Sequence, residues 1–263
     1  MPFPEVQRVL YHRNPLNQVV CQLRFSPILK IDAEVPAAFQ DKVRGFFCNF
    51  AETAEWNVEV QSPEAGILPP DLLRQAIQSV AGKNYEFSSE DGQWKINLTR
   101  TFVALTATKY ERWEQFKDKL IIPFQALIDV YSPEHLSRIG LRYVDVINRL
   151  KLGLVGVEWK ELLQPYILGV LSSPVGDNVS AFESKYEIKL SDQLSLVRIL
   201  TKFVKEADTG ELCYMIDSDF FNAHKTPVDK AFENLDYLNS RASRLIQWCV
   251  TEKLHRAMEP QPL

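Results

Sequence analysis

The chain has 263 residues, of which 46% are hydrophobic and 24% charged, with 10 Gly and a formal net charge of −4. This composition excludes collagen-like, low-complexity and disordered chains, and the negative charge, shared equally by the two halves, excludes a protein held on nucleic acid by its overall field. No apolar run reaches the ~18–20 residues that span a bilayer, and the N-terminus MPFPEVQRVL has no apolar signal core, so a cytoplasmic protein with no membrane partner is expected.

Taken in chain order, residues 17–25 (NQVVCQLRF) alternate as a strand, with Val20, Gln22 and Arg24 on one face and Val19, Cys21, Leu23 and Phe25 on the other. A helix is predicted from about Pro36, its stripe made by Phe39, Val43, Phe46, Phe47 and Phe50. A short strand at 56–61 and a helix at 71–80 come next. Residues 85–89 and 93–99 read as a hairpin about Asp91-Gly92, a pair suited to a primed turn. Residues 101–108 form a further strand. A long helix follows at about 111–131, with Trp113, Phe116, Leu120, Phe124, Leu127 and Ile128 inward and a kink at Pro123.

The second half repeats the theme. A strand at 138–148 leads to a helical stretch at 158–171, broken at Pro165, and to three strands at 181–190, 195–204 and 211–220. Thr226 is placed to cap a final long helix, with Pro227 at its first position. That helix should end near Met258 and leave a frayed tail.

The turns inside the meanders are too short for parallel crossovers, so the sheet is expected to be mainly antiparallel and curved, with long helices on one face, an α+β protein. The halves, 1–133 and 134–263, read as two pseudo-repeats of β-α-β(3-4)-α in one continuous structural unit. Each opens on a Leu-Arg-aromatic strand: Leu23-Arg24-Phe25 and Leu141-Arg142-Tyr143. By analogy of element order, the architecture resembles the TATA-binding-protein-like and helix-grip folds.

Three segments carry a further resemblance: PLNQVVCQLRF (15–25), WKINLTRTFVALTATKYERWEQF (94–116) and RIGLRYVDVI (138–147). Together they resemble a sporadically distributed bacterial family of about this length, one without an assigned function. The resemblance supplies no catalytic set. Its patchy distribution implies an accessory locus, such as a mobile element or a phage-defence system.

The candidate sites are few. Asp217 and Asp219 share one face of a strand and could hold Mg2+ or Mn2+ if Asp145 or His224 joined them, which would make a metal-dependent phosphoester hydrolase. Arg24 and Arg142, at matching places in the two halves, could grip phosphate or carboxylate, and Arg241 and Arg244 form part of a basic stripe on the last helix. The run Glu183, Lys185, Glu187, Lys189 reads as a solvated strand with cross-strand pairs. Cys21, Cys48, Cys213 and Cys249 lack metal spacing and are expected as buried, reduced thiols. No phosphate-cradling glycine loop and no nucleophile elbow occur. The expectation is a cofactor-free, non-enzymatic interaction protein that binds a partner protein or ligand, with nucleic-acid binding through a local basic face as the alternative.

Overall fold

The computed structural model describes residues 2–54 and 82–262. Its centre is the pairing of two strands, β2 (Leu16–Phe25) and β7 (His135–Ile147). They run antiparallel with Cys21 opposite Leu141 and Leu23 opposite Ile139, so buried side chains meet buried side chains. A slip of one residue would turn each strand's apolar set to the wrong face, which is why the alternation fixes the register.

On one side of this pair lie β6 (Phe102–Ala107), β5 (Trp94–Leu98), β4 (Lys83–Ser88) and β3 (Asn49–Ala54), outward in that order. On the other side lie β10 (Leu212–Asn222), β9 (Ser195–Lys205) and β8 (Glu183–Lys189). Among the described residues every pairing is antiparallel, and the two-residue β11 (Thr226–Pro227) adds to β7.

One face of this sheet is covered. The covering helices are α1 (Leu29–Ala33), α2 (Ala37–Val43), α3 (Trp113–Tyr131) and, further along, α6 (Ala231–Cys249). Between β7 and β8 the chain makes two short turns of helix, α4 (Trp159–Leu162) and α5 (Pro165–Leu168). The helix α7 (Glu252–Ala257) comes last. Phe116, Leu120 and Leu127 of α3 and Leu235, Leu238 and Leu245 of α6 are buried in one core with the inward residues of the strands. Each such side chain contributes roughly 1.5–3 kcal/mol. Helices α3 and α6 are joined by the Phe124–Phe232 edge contact at 4.9 Å and by Asp236, which accepts from Trp113 Nε1 at 2.7 Å and pairs with Lys117. Among the described residues no helix is long and apolar enough to cross a membrane.

Several local expectations are corrected. The first helix stops at Val43, and Phe50 lies in β3, where it stacks on Tyr85, so the aromatic stripe is divided between a helix and a strand. The expected elements at 56–61 and 71–80 lie outside the described residues. At the hairpin Gly92 alone has positive φ (+68°) and donates to the Ser89 carbonyl at 3.0 Å. A primed turn needs positive φ at its first central residue, and neither Glu90 nor Asp91 has it, so this is an ordinary turn closed by a left-handed glycine.

Thr226 is not a helix cap. It pairs with Leu136 in the sheet, its hydroxyl donates to the His224 carbonyl, and α6 begins only at Ala231. The last helix breaks at Val250, and Thr251 caps a new one by accepting from the Leu254 N–H. The tail is not frayed: β12 (Pro260–Pro262) pairs with β1 (Val9–Tyr11). Cys21, Cys213 and Cys249 are buried free thiols, whereas Cys48 is exposed at the turn into β3.

Candidate functional site

Strand alternation sends every second residue of the central strands away from the helices. From β2 these are Val20, Gln22 and Arg24, and from β7 they are Arg138, Gly140 and Arg142. With Asp217 and Asp219 of β10, Arg198 and Leu200 of β9 and Lys185 of β8 they surround a hollow of about 390 Å³ on the uncovered face. Five basic groups stand there against two acidic ones, in a chain whose net charge is −4.

The carboxylates are held by arginine forks. Arg142 Nε donates to Asp217 Oδ1 at 2.7 Å and Arg142 Nη2 to Asp217 Oδ2 at 2.5 Å. Asp217 is buried, and the bond it accepts raises the guanidinium pKa above its ordinary value. Arg138 Nη2 reaches both oxygens of Asp219, at 2.8 and 2.7 Å, and its Nη1 donates to Gln22 Oε1. That reach depends on Gly140, because a Cβ there would lie 2.1 Å from Arg138 Nη1. The Arg138 and Arg198 guanidiniums both lie over the Phe221 ring, and Arg198 is tied in turn to Glu187 of β8.

Two cations remain. Arg24 is exposed and lies 5.9 Å from the Phe102 ring, and Lys185 is exposed on β8; neither has an ion-pair partner among the described residues.

The predicted residues thus fall into different places. Arg24 and Arg142 share the uncovered face, but Arg24 stands opposite Arg138 and Arg142 opposite Val20. Arg241 and Arg244 belong to the helix layer on the other side of the sheet. There Arg241 packs 4.4 Å from the Tyr237 ring and Arg244, largely buried, pairs with Glu5 at 3.5 Å. The basic stripe therefore does not extend the arginine face. Its remaining members, Lys253 and Arg256, sit on the separate helix α7 and are paired with Glu161 and Glu252.

Asp217 and Asp219 do point to one face, but as acceptors of two arginines. Among the described residues no group of three His, Cys, Asp or Glu gathers to hold a metal. Asp145, expected as a third ligand, lies on the covered side of β7 and lines a different cavity. The expectation for 183–189 holds: Glu183, Lys185, Glu187 and Lys189 are exposed, and Glu187 pairs across to Arg198.

Sequence reasoning missed Arg138, Arg198 and Lys185 as members of the site. Arg138 was legible, since it is four residues from Arg142 on one strand and so must share its face. Arg198 and Lys185 became neighbours only through the order in which β8, β9 and β10 pair.

No protein-family profile and no curated protein sequence matches the chain.

Proposed function

We propose that the protein is a nucleic-acid-binding module that holds a phosphate backbone on the uncovered face of its sheet. The observation that carries this reading is the reversal of charge: a chain of net −4 concentrates five basic side chains against two acidic ones in one hollow, where Arg24 and Lys185 have no ion pair among the described residues. Arg24 on β2 and Lys185 on β8 are four strand spacings apart, about 19 Å. Several phosphates of one strand, at about 3.4 Å of axial rise each, fit within that span. Phe221 is buried beneath two guanidiniums, so it offers no stacking platform, and the contacts are of the backbone-positioning kind that carries little sequence information.

The strand order also supports reading the two halves as pseudo-repeats in a TATA-binding-protein-like arrangement. In the large sheet the Leu-Arg-aromatic strand of each half pairs with the final meander strand of that half, β2 with β6 and β7 with β10, and β2 and β7 pair with each other at the centre. The offset that carries Leu23-Arg24-Phe25 onto Leu141-Arg142-Tyr143 also carries Gln22 onto Gly140. These two residues are directly paired, as a local twofold axis through them requires. On this reading β6 sets Phe102 opposite Arg24 where β10 sets Asp219 opposite Arg142, and Ala104 stands where β10 has Phe221, so Arg24 has no carboxylate across from it.

The test is fluorescence anisotropy of labelled single- and double-stranded DNA and RNA across a salt series. The reading expects binding whose logarithm falls linearly with the logarithm of salt concentration. Absence of binding to all four at low salt would sink it.

A second reading, a protein partner within an accessory bacterial system, rests on the exposed apolar residues Leu150, Val155, Val170 and Val175 between β7 and β8. A pulldown from native lysate that loses its partner when Val155 and Val170 are both changed to Ser would favour it.

A further inference from the structure

The covered side of β7 holds a second polar feature, independent of the arginine face. Asp145 follows Tyr143 on that side, is only 7% exposed, and borders a cavity of about 100 Å³, open on one side, between α6 and the N-terminal segment that includes β1. Other polar groups at the cavity have partners. Tyr143 Oη donates to Asn239 Oδ1 at 2.9 Å, Tyr11 Oη lies 2.8 Å from His255 Nδ1, and Ser218 Oγ donates to the Tyr143 carbonyl. Asp145 has neither a hydrogen bond nor an ion pair among the described residues. An unpaired buried carboxylate is costly unless something supplies the missing positive donor.

We propose that this cavity binds a small alkylammonium group, with the Asp145 carboxylate as its counter-ion. Size sets the first limit. A cavity of about 150 Å³ accepts benzene, with six heavy atoms, so one of about 100 Å³ takes a chain end of roughly four to five heavy atoms. Leu16, Ile216, Leu245 and Ile246 give methylene groups an apolar wall, and the rings of Tyr11, Tyr110 and Tyr143 suit a cation. A divalent metal would need about six oxygen ligands, and no such set is present among the described residues.

Burial, reinforced by Asp217 through the sheet, raises the Asp145 pKa to about 7. Binding of a cation should therefore strengthen as pH rises through that value. The other charged or titratable groups nearby are accounted for. Arg8 is held by Glu114, Glu111 and Arg112 stand side by side with opposite charges, and burial pushes the tyrosines and Cys249 up, away from neutral pH. His255, which touches Tyr11, is common to the wild type and the variants below.

The experiment is calorimetric titration of the full chain with n-butylammonium chloride at pH 8 and pH 5.5, with 1-butanol as the neutral probe of equal length. Wild type should bind butylammonium at pH 8, more weakly at pH 5.5, and 1-butanol poorly. Asp145→Asn keeps the shape and should weaken butylammonium binding at least about tenfold, as loss of a charge-assisted contact implies. Ala242→Leu fills the cavity and leaves the carboxylate in place, and it should also remove binding. The proposal is overturned if wild type does not bind butylammonium, if Asp145→Asn binds it equally well, or if 1-butanol binds as tightly.

Discussion

Asp145, Asp217 and Asp219 lie on neighbouring strands, yet the two faces of the sheet treat them in opposite ways. On the uncovered face each carboxylate is met by an arginine fork at 2.5–2.8 Å, so its charge is answered where it stands. On the covered face Asp145 is buried beside tyrosines and aliphatic side chains with no ion pair among the described residues. An aspartate is compatible with either place, but a paired one fixes structure, whereas an unpaired one leaves interaction energy available for a ligand.

The largest effect separating the two faces should come from Asp145. Its folded pKa of about 7 lies above the unfolded value, so the folded state binds the extra proton between the two. Wild-type stability should therefore fall relative to Asp145→Asn as pH rises from about 4 to about 7, by up to ~4 kcal/mol, and the difference should stay level above that. Urea unfolding of both proteins across pH measures it; a difference independent of pH contradicts an unpaired carboxylate.

Next comes the clamped side. Arg142→Ala strands the buried Asp217 and should cost about 2–3 kcal/mol. That is less than the 3–5 for a fully buried pair, because Arg142 is itself half-exposed. Adding Asp217→Asn should restore most of the loss, and a double variant as unstable as the single one would show that the pair does not act as described. Gly140→Ala should cost about 1 kcal/mol, as Arg138 is pushed off Asp219 and one ion pair loosens. Chemical denaturation of Gly140→Ala in an Asp219→Asn background, where the cost should shrink, checks that origin.

Much of this arrangement was legible in the sequence because it rests on period-two alternation. The strands holding Leu23-Arg24-Phe25 and Leu141-Arg142-Tyr143 followed directly, as did the meanders and the two long helices. What was not legible depends on contacts between distant segments. Residues 260–262 (Pro-Gln-Pro) carry no strand signal and become β12 only because Val9–Tyr11 lies beside them. Thr226-Pro227 has the local chemistry of a helix start, but an open position on β7 takes it into the sheet. Arg24 and Arg142 are identified for the site by alternation, which also puts Arg138 on the face of Arg142, while Arg198 and Lys185 need the strand order. Asp145 was considered only as a metal ligand, because alternation alone does not reveal that its face is closed over by α6 and the N-terminal segment.

The central claim is that the uncovered face takes a phosphate backbone through Arg24 and Lys185. It is tested most directly by oligonucleotide anisotropy on wild type, on Arg24→Glu/Lys185→Glu and on the control Lys253→Glu, which lies on α7 away from that face. Neither Arg24 nor Lys185 has an ion pair to lose among the described residues, so the double variant should unfold at the same denaturant concentration as wild type. It should bind at least about tenfold more weakly, with a salt slope shallower by about two, while Lys253→Glu binds as wild type does. Equal binding by all three proteins would contradict the account.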